Sequence, residues 1–284
     1  MKGHTVPAAS VIVPAHDEER SIGRLLTGLT ASADGRRLEV VVVCNGCTDA
    51  TAERAADFPG VTVVEIPQPS KHLAMRAGSE VASVYPRVYV DADVEIGADA
   101  VLRLADAVRT GPLLARAPGR RVPLDGVGLL ARSYYEVWQE LPQVREGLFG
   151  RGVIALSEEG HRRYAELPPA MSDDLVISEL CAPHERGVDE SVTVVVRPPR
   201  TVRDLLRRRI RVRTGNAQAD AGRLRRADSR TRPAELLRLV RRRPALAPRV
   251  PVFVAVTGLA AWRARAAVRR GDFNTWLRDE SSRA

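Results

Sequence analysis

Residues 88–94 read Val-Tyr-Val-Asp-Ala-Asp-Val. Val88-Tyr89-Val90 is a short apolar run of β-formers, so the segment reads as a buried strand that stops at a pair of carboxylates. Alternate residues of an extended chain face one side. Asp91 and Asp93 can therefore address one hard cation together, and Mg2+ or Mn2+ takes few protein carboxylates and fills its shell with water and phosphate oxygens. An acidic turn after a strand has the same sequence, so the neighbouring segments decide.

Upstream, the same strand-then-helix unit repeats. Val11-Ile12-Val13 predicts a strand, and Ile22, Leu25, Leu26 and Leu29 recur at helical spacing. Leu38 to Val43 is a run expected of a strand buried on both faces. Thr48 and Asp49 predict a helix start, Val61 to Ile66 a third strand, and Ser70 the cap of a helix reaching about Val84. After the acidic pair a further helix is expected from about Asp99 to Arg109. This alternation predicts an α/β fold with a mostly parallel sheet and helices on both faces. Ligands of such sheets bind beyond the carboxyl ends of the strands. Pro14-Ala15-His16-Asp17-Glu18, Cys44-Asn45-Gly46-Cys47 and Asp91-Ala92-Asp93 all stand at such ends.

Downstream the pattern is less regular. Gly147 to Gly152 reads as a turn, Val153 to Leu156 as a strand, and Val192 to Val196 as a last strand. Pro168 and Pro169 precede a helix expected to be capped by Ser172 and to begin at Asp173-Asp174. From Arg197 to Arg249 arginine is dense and acids are sparse. An uncharged run, Val250 to Trp262, follows between Arg249 and Arg263; by length it is expected to pack as a core helix or lie in a membrane interface rather than span. Core packing is the expectation, and no stretch is expected to reach spanning length.

The 284 residues carry a formal charge of +9, which directs attention to anionic partners. Lys2 and Lys71 are the only lysines. Aromatics make up 4% of the chain, too few to interleave with the arginines for base stacking, and no nucleic acid is expected as partner. Three cysteines, an odd number, fit a reducing cytoplasm better than a disulfide framework. There is no Rossmann glycine fingerprint and no P-loop.

Taken together, "VIVPAHDEE", "VVVVCNGCTDAT", "KHLAMRAG", "VYVDADV" and "SDDLVIS" resemble glycosyltransferase family 2, five motifs in that family's order over roughly residues 10–215. The resemblance implies the GT-A nucleotide-sugar fold and an inverting transfer from a nucleoside diphosphate sugar to an acceptor hydroxyl, in cell-envelope or glycoconjugate synthesis. It implies a catalytic domain over residues 1–200, with a nucleotide-sugar half at about 8–110 and an acceptor half at about 111–200. Residues 201–284 are then an Arg-rich helical extension, a candidate for peripheral contact at the inner membrane face. By the same resemblance Pro14, Ala15 and Glu18 line the nucleotide, Cys44 and Asn45 meet the base, and Lys71 lies near the nucleotide. Asp91, Ala92 and Asp93 hold the metal and diphosphate, with Asp93 and Asp91 the ligands to Mg2+ or Mn2+. Asp174, or its neighbour Asp173, is the catalytic base, and Arg209 lies in the basic stretch Arg207 to Asn216 near the diphosphate. Departures occur too. Cys44 stands where an acid is frequent, which leaves the choice of base open, and Arg76 stands where an Asn is frequent. The basic stretch lacks the Gln and Trp of processive synthases, which favours a non-processive enzyme.

Rival chemistries fit fewer residues. "VYVDADV" also suits a haloacid-dehalogenase phosphatase, but no Lys follows Lys71 to hold a phosphoryl group. The CxxC of Cys44 and Cys47 sits between strand and helix like a redox site, yet acid-ended strand–helix units flank it. An inactive nucleotide-sugar-binding protein is the non-enzymatic alternative.

Overall fold

The structure is a computed structural model that describes residues 6–31, 37–168, 172–221 and 231–270. Pro169 and parts of the Arg-rich extension, 222–230 and 271–284, lie outside the described residues. The chain divides into two compact units: residues 1–121, 150–169 and 180–196 in the first, and 122–149, 170–179 and 197–284 in the second.

The first unit holds a seven-stranded sheet. Its strands are β1 (Ala9–Ala15), β2 (Leu38–Asn45), β3 (Val61–Ile66), β4 (Arg87–Val90), β5 (Ala115–Arg121), β6 (Val153–Leu156) and β7 (Arg186–Val195). Their spatial order is β3-β2-β1-β4-β6-β5-β7. Strands β3, β2, β1 and β4 run parallel, and β6 is antiparallel to both β4 and β5. The α/β expectation with a mostly parallel sheet is met. The chain winds from β1 outward to β3 and then returns to place β4 on the other side of β1. In open α/β sheets ligands bind beyond the carboxyl ends of the strands at such a reversal, here beyond β1 and β4.

Helices cover both faces, which is why the central strands read as unbroken apolar runs. Val11, Val13, Val40 and Val42 pack with Leu25, Leu26 and Leu29 of α1 (Ile22–Thr30) and with Val101 and Leu104 of α4 (Ala98–Thr110). The opposite face receives α3 (Lys71–Val81). Helix and sheet approach closely there because Gly78 has no side chain: a Cβ on it would stand 2.5 Å from Ile12 Cγ2.

Several boundaries differ from the sequence reading, β7 beginning at Arg186 rather than Val192 among them, and two differ for a visible reason. Helix α2 (Thr51–Ala56) starts after Thr48, because the Asp17 carboxylate accepts from Thr48 N at 2.6 Å and holds that residue in the loop. Helix α3 stops at Val81 rather than near Val84. Ser83 N and Oγ both donate to the Glu39 carboxylate at 2.8 Å, and Val84 N donates to Ser10 Oγ, drawing the chain toward β4. The sequence reading did not anticipate β5 or α7 (Glu158–Ala165), which complete this unit.

The second unit is helical: α5 (Leu129–Trp138), α6 (Pro142–Glu146), most of α8 (Asp173–Leu180), α9 (Val202–Ala221), α10 (Pro233–Arg242), a 3-10 turn at Pro244–Arg249 and α11 (Val250–Arg269). Tyr134 of α5 stacks on Phe253 of α11 with ring centroids 5.0 Å apart. The uncharged run packs one side into the core of this unit, where Phe253 and Val256 are buried, and leaves the other side exposed. Its helical stretch Pro244–Ala266 is 23 residues long, with only 17% of its apolar window buried. By length and composition it could cross a bilayer, against the expectation that no stretch could. The helix continues past the uncharged run on both sides, and the run alone understates it.

Candidate active site

The edge beyond β1 and β2 is a tight hydrogen-bonded platform. Asn45, 3% exposed, donates from Nδ2 to the Ala15 carbonyl at 2.7 Å. His16 Nδ1 donates back to the Asn45 carbonyl at 2.6 Å. Asp17 adopts φ 49°, a left-handed conformation that Asp tolerates better than most residues. From there it takes Thr48 N on its carboxylate while its own N–H meets Cys47 Sγ at 3.5 Å. Gly46, at φ 60°, turns the chain under Pro69, where a Cβ would stand 2.9 Å from Pro69 N.

Glu18 and Cys44 both face inward. Glu18 is buried; its N–H donates to Thr51 Oγ1 at 2.7 Å and its carboxylate accepts from Ser21 Oγ at 2.6 Å. It thus ties the start of α1 to α2. Pro14 and Ala15 are buried in β1. Cys44, 2% exposed, lies in the apolar core with Val40 and Val42, its neighbours by alternation along β2. Burial pushes its thiol up to about 12, so it stays protonated. A neutral buried thiol offers a nucleobase little to read.

His16, Asp17 and Cys47 also bring ligand atoms within 4.8 Å of one another. Each takes part in the hydrogen bonds that shape the loop, so the trio reads as scaffold.

Beyond β4 the carboxylates are more open. Asp93 is exposed and Asp91 half-buried, with buried Ala92 between them. Lys71, the first residue of α3 behind the Ser70 cap, reaches across to put Nζ 2.6 Å from Asp91 Oδ1. Asp91 N donates to the Gly152 carbonyl at 2.7 Å, which fixes the direction of the turn. Gly152 has φ 70° and abuts Val94, so a side chain there would be strained and obstructed. Next to it Arg151 is 2% exposed and donates from Nη1 to the Pro118 carbonyl at 2.9 Å. Sequence reasoning saw a turn at 147–152 but not these two supports, since no local pattern shows what a turn residue will meet.

The donor set suits a hard divalent ion. It consists of carboxylate oxygens, one from an exposed residue and one from Asp91, which is ion-paired with Lys71. Asp91 and Asp93 are the residues that would hold it.

The remaining predicted residues lie in the second unit. Asp173 is 7% exposed and Asp174 half-buried at the start of α8, where Asp174 Oδ1 accepts from Leu175 N at 2.8 Å. Arg209 of α9 lays its guanidinium 5.6 Å from the Tyr134 ring centroid, within reach of a cation–π contact.

The family described as Glycosyl transferase family 2 matches residues 10–155. The chain is 30% identical over 115 residues to an undecaprenyl-phosphate 4-deoxy-4-formamido-L-arabinose transferase of Edwardsiella ictaluri, covering 38% of this chain and 35% of that one. A protein of the same name in Aeromonas hydrophila is 26% identical over 146 residues, covering 49% and 41%. The chain thus spans well under half the length of these relatives. In fold it is similar to a mannosyltransferase of Pyrobaculum calidifontis solved in complex with GDP-Man and Mn2+, with a TM-score of 0.62 and 21% identity over 94% of this chain and 80% of that one.

Proposed function

The chain belongs to glycosyl transferase family 2, and on that premise we propose that it is a metal-dependent, inverting and non-processive enzyme that moves a sugar from a nucleoside diphosphate sugar to an acceptor hydroxyl. Family membership displaces the phosphatase reading of "VYVDADV". The observation that carries the proposal is the acidic pair Asp91 and Asp93 beyond the carboxyl end of β4, with Lys71 Nζ 2.6 Å from Asp91. Opposite charges side by side suit a ligand that presents a diphosphate together with its cation.

In this reading the nucleotide lies along Pro14 to Glu18 and Cys44-Asn45, with the backbone of that edge doing the contacting, since the side chains of Glu18, Cys44 and Asn45 are turned inward and Asn45 holds the platform in shape. Lys71 holds a diphosphate oxygen, and Arg209 or a neighbour on α9 adds positive charge. A bound Mg2+ or Mn2+ supplies charge neutralisation to the departing diphosphate. Asp174 takes the proton of the acceptor hydroxyl as its oxygen bonds to the anomeric carbon and the bond to the diphosphate breaks. Asp173 orients its neighbours. The reading places the enzyme in the cytoplasm, where Cys44, Cys47 and Cys181 are free thiols.

A second acceptor follows from the names of the relatives, which join a sugar to undecaprenyl phosphate. A phosphate oxygen is already anionic and needs no base, so the two acceptors differ in their demand on Asp174. The first experiment is a thermal-shift screen of UDP-, GDP- and dTDP-sugars with and without Mn2+. A bound donor raises the melting temperature in proportion to its affinity. Stabilisation by one nucleotide series that depends on the metal is expected; no response from any series sinks the donor assignment.

A further inference from the structure

Helix α11 has two unlike sides. Phe253, Val256, Ala260 and Ala264 form one stripe and are buried, and the helix packs on α5 and α9. The other side carries Pro251, Val254, Ala255, Gly258, Leu259 and Trp262, all exposed. Val254 is 51% and Trp262 65% exposed, and a Cβ on Gly258 would meet nothing within 4 Å. This apolar stripe runs for about 18 Å. A solvated helix face is ordinarily polar, and a continuous apolar stripe marks a surface that something covers. Past Trp262 the same helix becomes cationic, with Arg263, Arg265 and Arg269 exposed and Arg270 exposed just beyond its end. Across residues 231–270 there are ten arginines against a single acid, Glu235.

We propose that this side of α11 docks on an anionic lipid bilayer, the helix lying in the interface with its apolar stripe toward the acyl chains and its arginines among the headgroups. Charge complementarity selects the occupant, because apolar area flanked by this density of arginine matches a surface that is greasy beneath and negative above. Trp262 stands where the apolar stripe gives way to charge, the position an amphipathic ring takes at a membrane boundary. Between α9 and α11 a cleft of about 290 Å3 is lined by Arg213, Arg265 and Arg269, with Asn216 and Asp220, and is of a size to admit a headgroup phosphate.

The helix is long enough to cross a bilayer, but its packing selects lying over crossing. Along its buried side runs α9 with Arg207, Arg208, Arg209, Arg211 and Arg213. A crossing α11 would have to part from α9 or draw those arginines into hydrocarbon, where each is costly.

The test uses the full-length chain and sedimentation with vesicles of phosphatidylcholine, with or without phosphatidylglycerol. Expected are binding at least about tenfold tighter to the anionic vesicles, release by salt, and a blue shift of tryptophan emission that Trp262→Phe removes. Val254→Asp with Leu259→Asp should weaken binding by about tenfold or more, and Arg265→Glu with Arg269→Glu should remove the anionic preference. Should the paired Asp variant not fold, Trp262→Ser, at the most exposed of these positions, serves in its place. Equal binding to neutral vesicles, wild-type binding by these variants, or retention in the membrane after alkaline extraction would overturn the proposal. A soluble dimer that shields Trp262 from quencher would overturn it too. None of these readouts involves sugar transfer, so the docking surface and the catalytic reading stand or fall separately.

Discussion

Lys71 and Asp91 already neutralise each other across 2.6 Å, and any divalent ion must share that carboxylate. Lys71→Met removes the competitor and also a contact for the diphosphate. The variant should bind Mn2+ alone severalfold more tightly, as befits a partly exposed pair worth up to about 1 kcal/mol, and nucleoside diphosphate more weakly. Titration calorimetry of each ligand reads the two effects; movement of both in one direction would separate Lys71 from the site. Asp93 is exposed, so Asp93→Ala should leave the unfolding free energy within about 0.5 kcal/mol while abolishing metal-dependent nucleotide binding. Retained binding in Asp93→Ala excludes it as a ligand. The acidic pair was legible because it ends an apolar strand. The inward turn of Cys44 was not: alternation puts it beside Val40 and Val42, but only the helices packed on that face make it buried.

At the scale of elements, β4 and α7 meet through a buried polar chain. Arg87 Nη1 donates to His161 Nε2 at 3.0 Å, so His161 carries its proton on Nδ1 and donates it to Tyr89 Oη, also at 3.0 Å. Tyr89 Oη lies 2.9 Å from Ser79 Oγ, whose hydroxyl donates to the Met75 carbonyl on α3. Burial, aided by the Arg87 charge, pulls His161 down to about 4 from an ordinary value of 6.5. The unfolded chain therefore takes up a proton that the native state refuses. Stability should fall as pH drops from about 6.5 to 4, by roughly 2–3 kcal/mol, and His161 should add no further slope below that. Urea unfolding across this range should show the slope in the wild type and a shallower one in His161→Leu; parallel curves would remove His161 as the cause. On the same α3, Gly78→Ala should cost about 1–3 kcal/mol by overpacking against Ile12. Elements with a clean period were legible here, and β5 was not. Its sequence Ala-Arg-Ala-Pro-Gly-Arg-Arg reads as loop, and it becomes a strand through pairing with β6 and β7, with a bulge at Pro118/Gly119. Helix α7 did leave a signal, since the Ser157 side chain accepts from Gly160 N ahead of Glu158 and Glu159 in its first turn.

Across the whole molecule, Asp91, Asp93 and Lys71, proposed to hold the metal and diphosphate, sit in the first unit, whereas Arg209 and the base implied by the family likeness sit in the second. A reaction divided in this way has separable kinetic phenotypes. Changes at Asp91, Asp93 or Lys71 should register in donor and metal binding, whereas a change at Asp174 should register in turnover alone. Asp173 is buried and Asp174 half-buried, and successive helical side chains point about 100° apart, so only one of the two can serve the acceptor well. The more open Asp174 is the better candidate. Loss of a general base typically costs about 10²–10⁴-fold in rate. Asp174→Asn should therefore keep donor binding by calorimetry and lose transfer by about that factor, with Asp173→Asn losing less. Reversed effects would move the base to Asp173. The size of the loss also reports the acceptor. A hydroxyl must surrender a proton as it attacks, so it feels the full loss, whereas a phosphate oxygen attacks as the anion it already is. If Asp174→Asn turns over normally with a polyprenyl phosphate, the acceptor is the phosphate and the base assignment falls. If it fails by the expected factor with a hydroxyl acceptor while donor binding is kept, Asp174 is the residue that takes the proton.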